Sequence, residues 1–102
     1  MNINQLKYFI SVAEYKSFTK AANQYYISQT AITQQIHALE EQMAVTLIDR
    51  RKRPIALTPA GNVFLQEAKA IVERMNFAMR KVHDASTGLV GTLRIGYTKG
   101  YE

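Results

Sequence analysis

Amides and hydroxyls crowd residues 28 to 37, where Ser28-Gln29-Thr30-Ala31-Ile32-Thr33-Gln34-Gln35-Ile36-His37 contains no Asp, Glu, Lys or Arg. On a helix turning 100° per residue, Gln29, Thr30, Thr33, Gln34 and His37 share one arc. A second arc, roughly 120° away, holds Ile32, Ile36, Leu39 and Met43. Mixed donors and acceptors aimed together suit a partner with a mixed pattern of its own, and the edges of base pairs offer one. Glutamine can bond adenine at two points, and threonine can reach a thymine methyl. Any solvated helix also shows a polar face, so the stripe alone leaves both readings open. Glu40 and Glu41 come later on this helix, where they would repel phosphates least.

The second chemical feature is positive charge. Four of the 13 Lys and Arg residues are consecutive, at Arg50, Arg51, Lys52 and Arg53. Pro54 follows and suits a turn. A basic knot on a loop tip reads as a phosphate or minor-groove contact, or more blandly as a solvated loop. An amide stripe followed in sequence by a basic hairpin is a stronger signal than either feature alone. No enzyme is expected. His37 has no His, Asp or Cys at helical spacing and His83 lies far along the chain, so neither makes a metal site. Glu40 and Glu41 are adjacent and do not share a helix face, which argues against paired-carboxylate catalysis.

Several elements must position these groups. Leu6, Phe9, Ile10 and Ala13 form a one-faced stripe that predicts a helix over 3–15, with Asn4 as N-cap. Ser17 caps a short helix from Phe18 to about Tyr25, in which Ala21 and Ala22 permit close approach of a neighbour. Ile27 and Ser28 form a tight turn, and Ser28 caps a helix from Gln29 to about Met43. Two short helices, the second with a polar face, make a helix-turn-helix pattern. Val45–Arg50 and Ile55–Thr58 read as short strands flanking the basic tip, a wing. Thr58-Pro59 is a strong helix start.

The helix from Pro59 to about Ala85 carries Phe64, Ala68, Ile71, Met75, Ala78 and Val82 at alternating steps of four and three, with Leu65, Val72 and Met79 on one flank. That heptad seam predicts self-association through Phe64, Ala68, Ile71, Val72, Met75, Ala78, Met79 and Val82. Packing against the chain's own domain is the alternative. Gly88 is a plausible stop, and Leu93, Ile95 and Tyr97 alternate as in one β-strand.

At 102 residues with 47% apolar content, one small domain plus an extended element is expected. The absence of cysteine excludes a disulfide scaffold and a thiolate metal site. A net charge of +5 is less informative than its clustering. Neither a signal peptide nor a membrane span is expected, since the longest stretch free of Asp, Glu, Lys, Arg and His, Ala21 to Ile36, is rich in Asn, Gln, Ser and Thr. A cytoplasmic location follows as an expectation.

Taken together, Ser17-Phe18-Thr19-Lys20-Ala21-Ala22, Ile27-Ser28-Gln29-Thr30-Ala31-Ile32 and His37-Ala38-Leu39-Glu40-Glu41 resemble the LysR-type regulator family. So do Leu47-Ile48-Asp49-Arg50, Arg53 and Ile55-Ala56-Leu57-Thr58-Pro59-Ala60-Gly61. The resemblance covers nearly the whole chain. It implies a mainly α fold: a winged helix-turn-helix over 1–58, a linker and dimerisation helix over 59–87, and over 88–102 a hinge with the first strand of a further domain. It also implies that this is the DNA-binding part of a protein about three times as long. No cofactor is expected here, because a small-molecule effector would bind that further domain, which could also build a tetramer.

The expected partner is double-stranded DNA, bound by a homodimer on an interrupted palindrome. Gln29, Thr30, Thr33 and Gln34 match the family's base-facing positions, His37 is a further candidate base contact, and Arg50, Arg51, Lys52 and Arg53 form the wing. There are departures: Thr30 stands where the family has proline, Gln34 where arginine is frequent, Ala44 for glycine, Ile48 for phenylalanine and Tyr25 for leucine. An uncharged Gln34 favours adenine over guanine contacts. A protein-interaction module built on the long helix is the rival reading.

Overall fold

The first helix keeps its expected bounds, Ile3–Tyr15, but its N-cap lies two residues earlier than expected. Asn2, not Asn4, is the N-cap: its side chain accepts from the Gln5 N–H at 2.9 Å, and its own N–H donates to Gln5 Oε1 at 3.2 Å. This reciprocal capping box requires Glu or Gln at the third helical position. Asn2 has Gln5 there, whereas Asn4 has Lys7. The computed structural model describes residues 1–87. Gly88, the strand expected near 93–97 and the domain boundary at 88–102 lie outside the described residues.

The elements run α1 (Ile3–Tyr15), α2 (Phe18–Gln24), α3 (Gln29–Met43), β1 (Ile48–Asp49), β2 (Ala56–Leu57) and α4 (Pro59–Thr87). Helices α2 and α3 start where hydroxyls can cap them. Ser17 Oγ accepts from the Lys20 N–H at 3.1 Å and Ser28 Oγ from the Ala31 N–H at 3.0 Å. Between them Tyr26 takes a positive φ of 56°, which turns the chain sharply. The strands are much shorter than the apolar pattern suggests, only two residues each, paired antiparallel with Ile48 opposite Leu57 and Asp49 opposite Ala56.

The chain divides into two units, Met1–Val72 and one beginning at Glu73. The core of the first unit comes from every helix. Phe9, Val12, Ile32, Ile36, Leu39 and Leu47 are fully buried, with Leu6, Ala21, Ala22 and Ile48 beside them. On α1 the buried face centres on Leu6, Phe9 and Val12, and Ile10 and Ala13 sit at its margin. The start of α4 closes this core. Phe64 is 7% exposed and packs its ring 5.3 Å from that of Phe9, and Ala68 is fully buried.

Those two residues therefore correct the expected self-association seam. Phe64 and Ala68 are spent inside the chain's own core, because the N-terminal turns of α4 must cover α1 before any partner can be met. Leu65 and Val72 also pack partly against that core. Ile71 is 44% exposed, and in the second unit Met79 and Val82 are 58% and 69% exposed.

Candidate nucleic-acid interface

Helix α3 sorts its side chains by rotation about its axis. Ile32, Ile36 and Leu39 fill the core. Gln29, Thr30, Gln34 and His37 are exposed, and Thr33 is half-buried at the edge of the same face. The expected stripe is thus held on the surface by the burial of its opposite side. Gln29 is partly committed, because its Oε1 accepts from Thr19 Oγ1 at 3.1 Å. That bond ties the first turn of α3 to α2 and fixes which way the Gln29 amide faces.

The wing meets this face. A cleft of about 490 Å³ is bounded by Lys16, Ser17, Phe18 and Thr19 at the start of α2, by Gln29 and Thr33 on α3, and by Arg50, Arg53, Pro54 and Ile55 on the wing. The amide stripe and the wing arginine therefore share one concave surface. Lys16, Ser17 and Thr19 were not singled out from sequence as interface residues. What could have found them is the pattern itself, since residues opening the first helix of a helix-turn-helix border the second.

The four wing cations have different roles. Arg51 is 90% exposed but forms a paired contact with Asp49, Nε to Oδ1 at 3.0 Å and Nη2 to Oδ2 at 3.1 Å. The guanidinium, and after it the Arg51 N–H, hold the Asp49 carboxyl below its usual range, and the same pairing raises Arg51. Lys52 is exposed. Arg53 folds back so that Nη1 donates to the Lys52 carbonyl at 2.9 Å.

Arg50 departs from the expected wing-tip role. Its guanidinium lies 5.0 Å from the centre of the Phe18 ring, and Nη1 donates to Glu40 Oε1 at 3.4 Å. Two of its nitrogens, Nε and Nη2, are buried. Arg50 belongs to the root of the wing, where it has an aromatic face and a carboxylate to hold it. The tip is left to Arg51, Lys52 and Arg53.

Glu40, noted from sequence only as a charge late on α3, is buried. At 9% exposure its Oε2 accepts the N–H of Leu47 at 2.8 Å and of Ile48 at 3.2 Å. The helix period gave no sign of this, since at 100° per residue Glu40 falls on the amide arc, between Gln29 and Thr33. Among the described residues no three of His, Cys, Asp and Glu gather as a metal would need, and no helix is long and apolar enough to cross a membrane.

Comparison with known proteins adds a family to this geometry. The family described as bacterial regulatory helix-turn-helix protein, lysR family, matches residues 3–62. The HTH-type transcriptional regulator TfdS of Cupriavidus pinatubonensis is 41% identical over 97 residues, which is 95% of this chain and 33% of that protein. The regulator BsdA of Bacillus subtilis is 37% identical over 99 residues, 96% of this chain and 34% of its own. The chain thus spans about a third of the length of these curated relatives. Among solved structures, the CbnR DBD–DNA complex is 41% identical with a TM-score of 0.80, covering 83% of this chain and 98% of that one. A BenM DBD complex with catB site 1 DNA is 32% identical with a TM-score of 0.87, covering 91% of this chain and 100% of that one.

Proposed function

Because this chain belongs to the LysR family of bacterial regulatory helix-turn-helix proteins, we propose that residues 1–87 bind double-stranded DNA sequence-specifically as a homodimer. Helix α3 enters a major groove, and the amides and hydroxyls of Gln29, Thr30, Thr33 and Gln34, with His37, meet base edges. Arg51, Lys52 and Arg53 meet phosphates or the flanking minor groove. The observation that carries this reading is the shared concave surface, on which an uncharged stripe and a wing arginine border one cleft. The DNA complexes of CbnR and BenM, each at or above 32% identity, support it.

Charge and discrimination are then supplied by different residues. Phosphate contacts give affinity that falls with salt and carries no sequence information, and on this reading the wing cations supply them. The stripe holds no formal charge, so it discriminates through hydrogen-bond pattern and methyl contact. Two copies pair through the part of α4 left free, namely Ile71, Met75, Ala78, Met79 and Val82, with Val72 at the edge. In the second unit Met75, Ala78, Met79 and Val82 line an apolar hollow of about 480 Å³. The two α3 helices of a dimer would read two half-sites of an interrupted palindrome. In the full-length protein a further domain would bind the effector and could build a tetramer.

The test compares Arg53→Ala and Gln34→Ala on a duplex recovered by selection from a random pool and on its scrambled counterpart. Arg53→Ala should weaken both duplexes and reduce the salt slope by about 1. Gln34→Ala should cost about 1–3 kcal/mol on the selected duplex and little on the scrambled one. Unchanged binding of Arg53→Ala to both duplexes would remove the wing from the interface.

A further inference from the structure

A reading head with two parts works only if the parts keep a fixed separation. Grooves in duplex DNA have set widths, so a wing that wanders relative to α3 gives up the contacts that depend on both being seated at once. The two-residue strands are too short to stiffen the wing by themselves. Something else must hold the wing root to the helix.

We infer that Glu40 is the positioning residue of this interface: its carboxylate fastens the C-terminal half of α3 to the wing root and thereby sets where Arg53 lies relative to the amide stripe. The inference rests on the DNA-binding reading above. Glu40 uses both oxygens for the purpose. Oε2 takes the Leu47 and Ile48 N–H groups at 2.8 and 3.2 Å, where the chain enters β1. Oε1 takes Arg50 Nη1 at 3.4 Å, where the chain leaves β1. One side chain of α3 thus grips the strand at both ends. Arg50 completes the brace by lying 5.0 Å from the Phe18 ring centre, so the wing root is tied to α2 as well.

The chemistry explains why a carboxylate stands here. Two backbone N–H groups and a guanidinium converge on one point, and only an anion with two oxygens can accept from all three. His37 Nδ1 is the other nitrogen near this carboxylate, 3.7 Å from Oε1 and on an exposed side chain. Burial against Arg50 also keeps the Glu40 charge from repelling phosphates along the reading face.

Glu40→Gln separates this role from simple stability. The glutamine oxygen can still accept from Leu47 and Ile48, but its amide now meets Arg50 donor to donor and releases the wing root. The experiment is a double-mutant cycle on the full 102-residue chain, using the selected duplex at a temperature where circular dichroism finds every variant folded. The loss caused by Arg53→Ala should shrink by about threefold or more in the Glu40→Gln background, while the loss caused by Gln34→Ala stays the same. Arg50→Gln, which removes the same contact from the other side, should reproduce that pattern and serves if Glu40→Gln does not fold. A residue that merely stabilised the fold would lower the melting temperature and leave the Arg53 contribution whole. Full Arg53 loss in both backgrounds overturns the inference. No Arg53 loss even in the native chain is a different pattern, which defeats the wing reading itself.

Discussion

Replacing Gly61 by alanine should unfasten the junction between the wing and the long helix. Gly61 occupies the third position of α4, with its N–H donating to the capping hydroxyl of Thr58 at 3.0 Å. A Cβ built there would lie 2.0 Å from the Leu47 carbonyl oxygen, 3.0 Å from its carbon and 3.2 Å from Leu57 Cδ2. The nearest obstacle is backbone, and it is not free to move. The Leu47 carbonyl accepts the Thr58 N–H at 3.0 Å, the Leu47 N–H is held by Glu40 at 2.8 Å, and the Leu47 side chain is fully buried. Overpacking of this kind costs about 1–3 kcal/mol. A contact this short against an anchored carbonyl belongs at or beyond the upper end of that range. Alanine recovers about 1 kcal/mol of helix propensity relative to glycine. The net expectation is a loss of about 2 kcal/mol, which for a domain of this size lowers the melting temperature by about 8–16 °C. Thermal denaturation followed by circular dichroism reads it directly. A variant melting within about 2 °C of the native chain would refute the reasoning, since it would mean that the helix start and β1 separate at almost no cost.

Other perturbations probe different parts of the structure. Thr58→Ala removes both the α4 cap and the 2.6 Å bond that Thr58 Oγ1 donates to the Thr46 carbonyl; a loss of about 1–2 kcal/mol in urea denaturation is expected. Ala44→Gly should stabilise by about 0.5–1 kcal/mol in the same assay, because Ala44 caps α3 at a φ of 59°, a conformation that costs an L-residue. Met79→Glu places a charge in the exposed apolar hollow of α4 and should shift sedimentation toward monomer with little change in helix content. Tyr25 carries a phenol raised chiefly by burial, and then by Tyr8, Glu14 and Tyr15. The unfolded chain then loses its proton first, so stability present below the ordinary phenol value declines as pH rises through it toward the folded value. Tyr25→Phe should flatten that alkaline decline in denaturation midpoints measured against pH.

The sequence was most legible where one local rule decides. Helix α3 matched its expected bounds because Ser28 caps it and its apolar period runs unbroken from Ile32 to Met43. Ser17 and Thr58 were legible as caps for the same reason. Long-range contacts were not. A seven-residue seam has the same period whether it faces a partner or its own domain, so nothing in the spacing of Phe64 and Ala68 told that both would be buried in the core, Phe64 against Phe9. A run of four cations likewise hides its divisions: Arg50 differs from Arg51 only through Phe18 and Glu40, which lie 32 and 10 residues away. The strands were overestimated because apolar residues on both sides of the turn serve as core anchors, as with Leu47, rather than as ladder partners. The part played by Glu40 was not legible, because only the fold brings the Leu47 and Ile48 N–H groups to it.

The role proposed for the exposed side of α3 is to read base edges. It is tested most directly by nuclear magnetic resonance of the chain with the selected duplex, looking for intermolecular contacts between side-chain protons and base protons. Contacts from Thr30, Thr33 and Gln34 to protons that line the major groove are the predicted result. Contacts confined to α4, with the amide signals of Gln29 and Gln34 unmoved by saturating duplex, would contradict it.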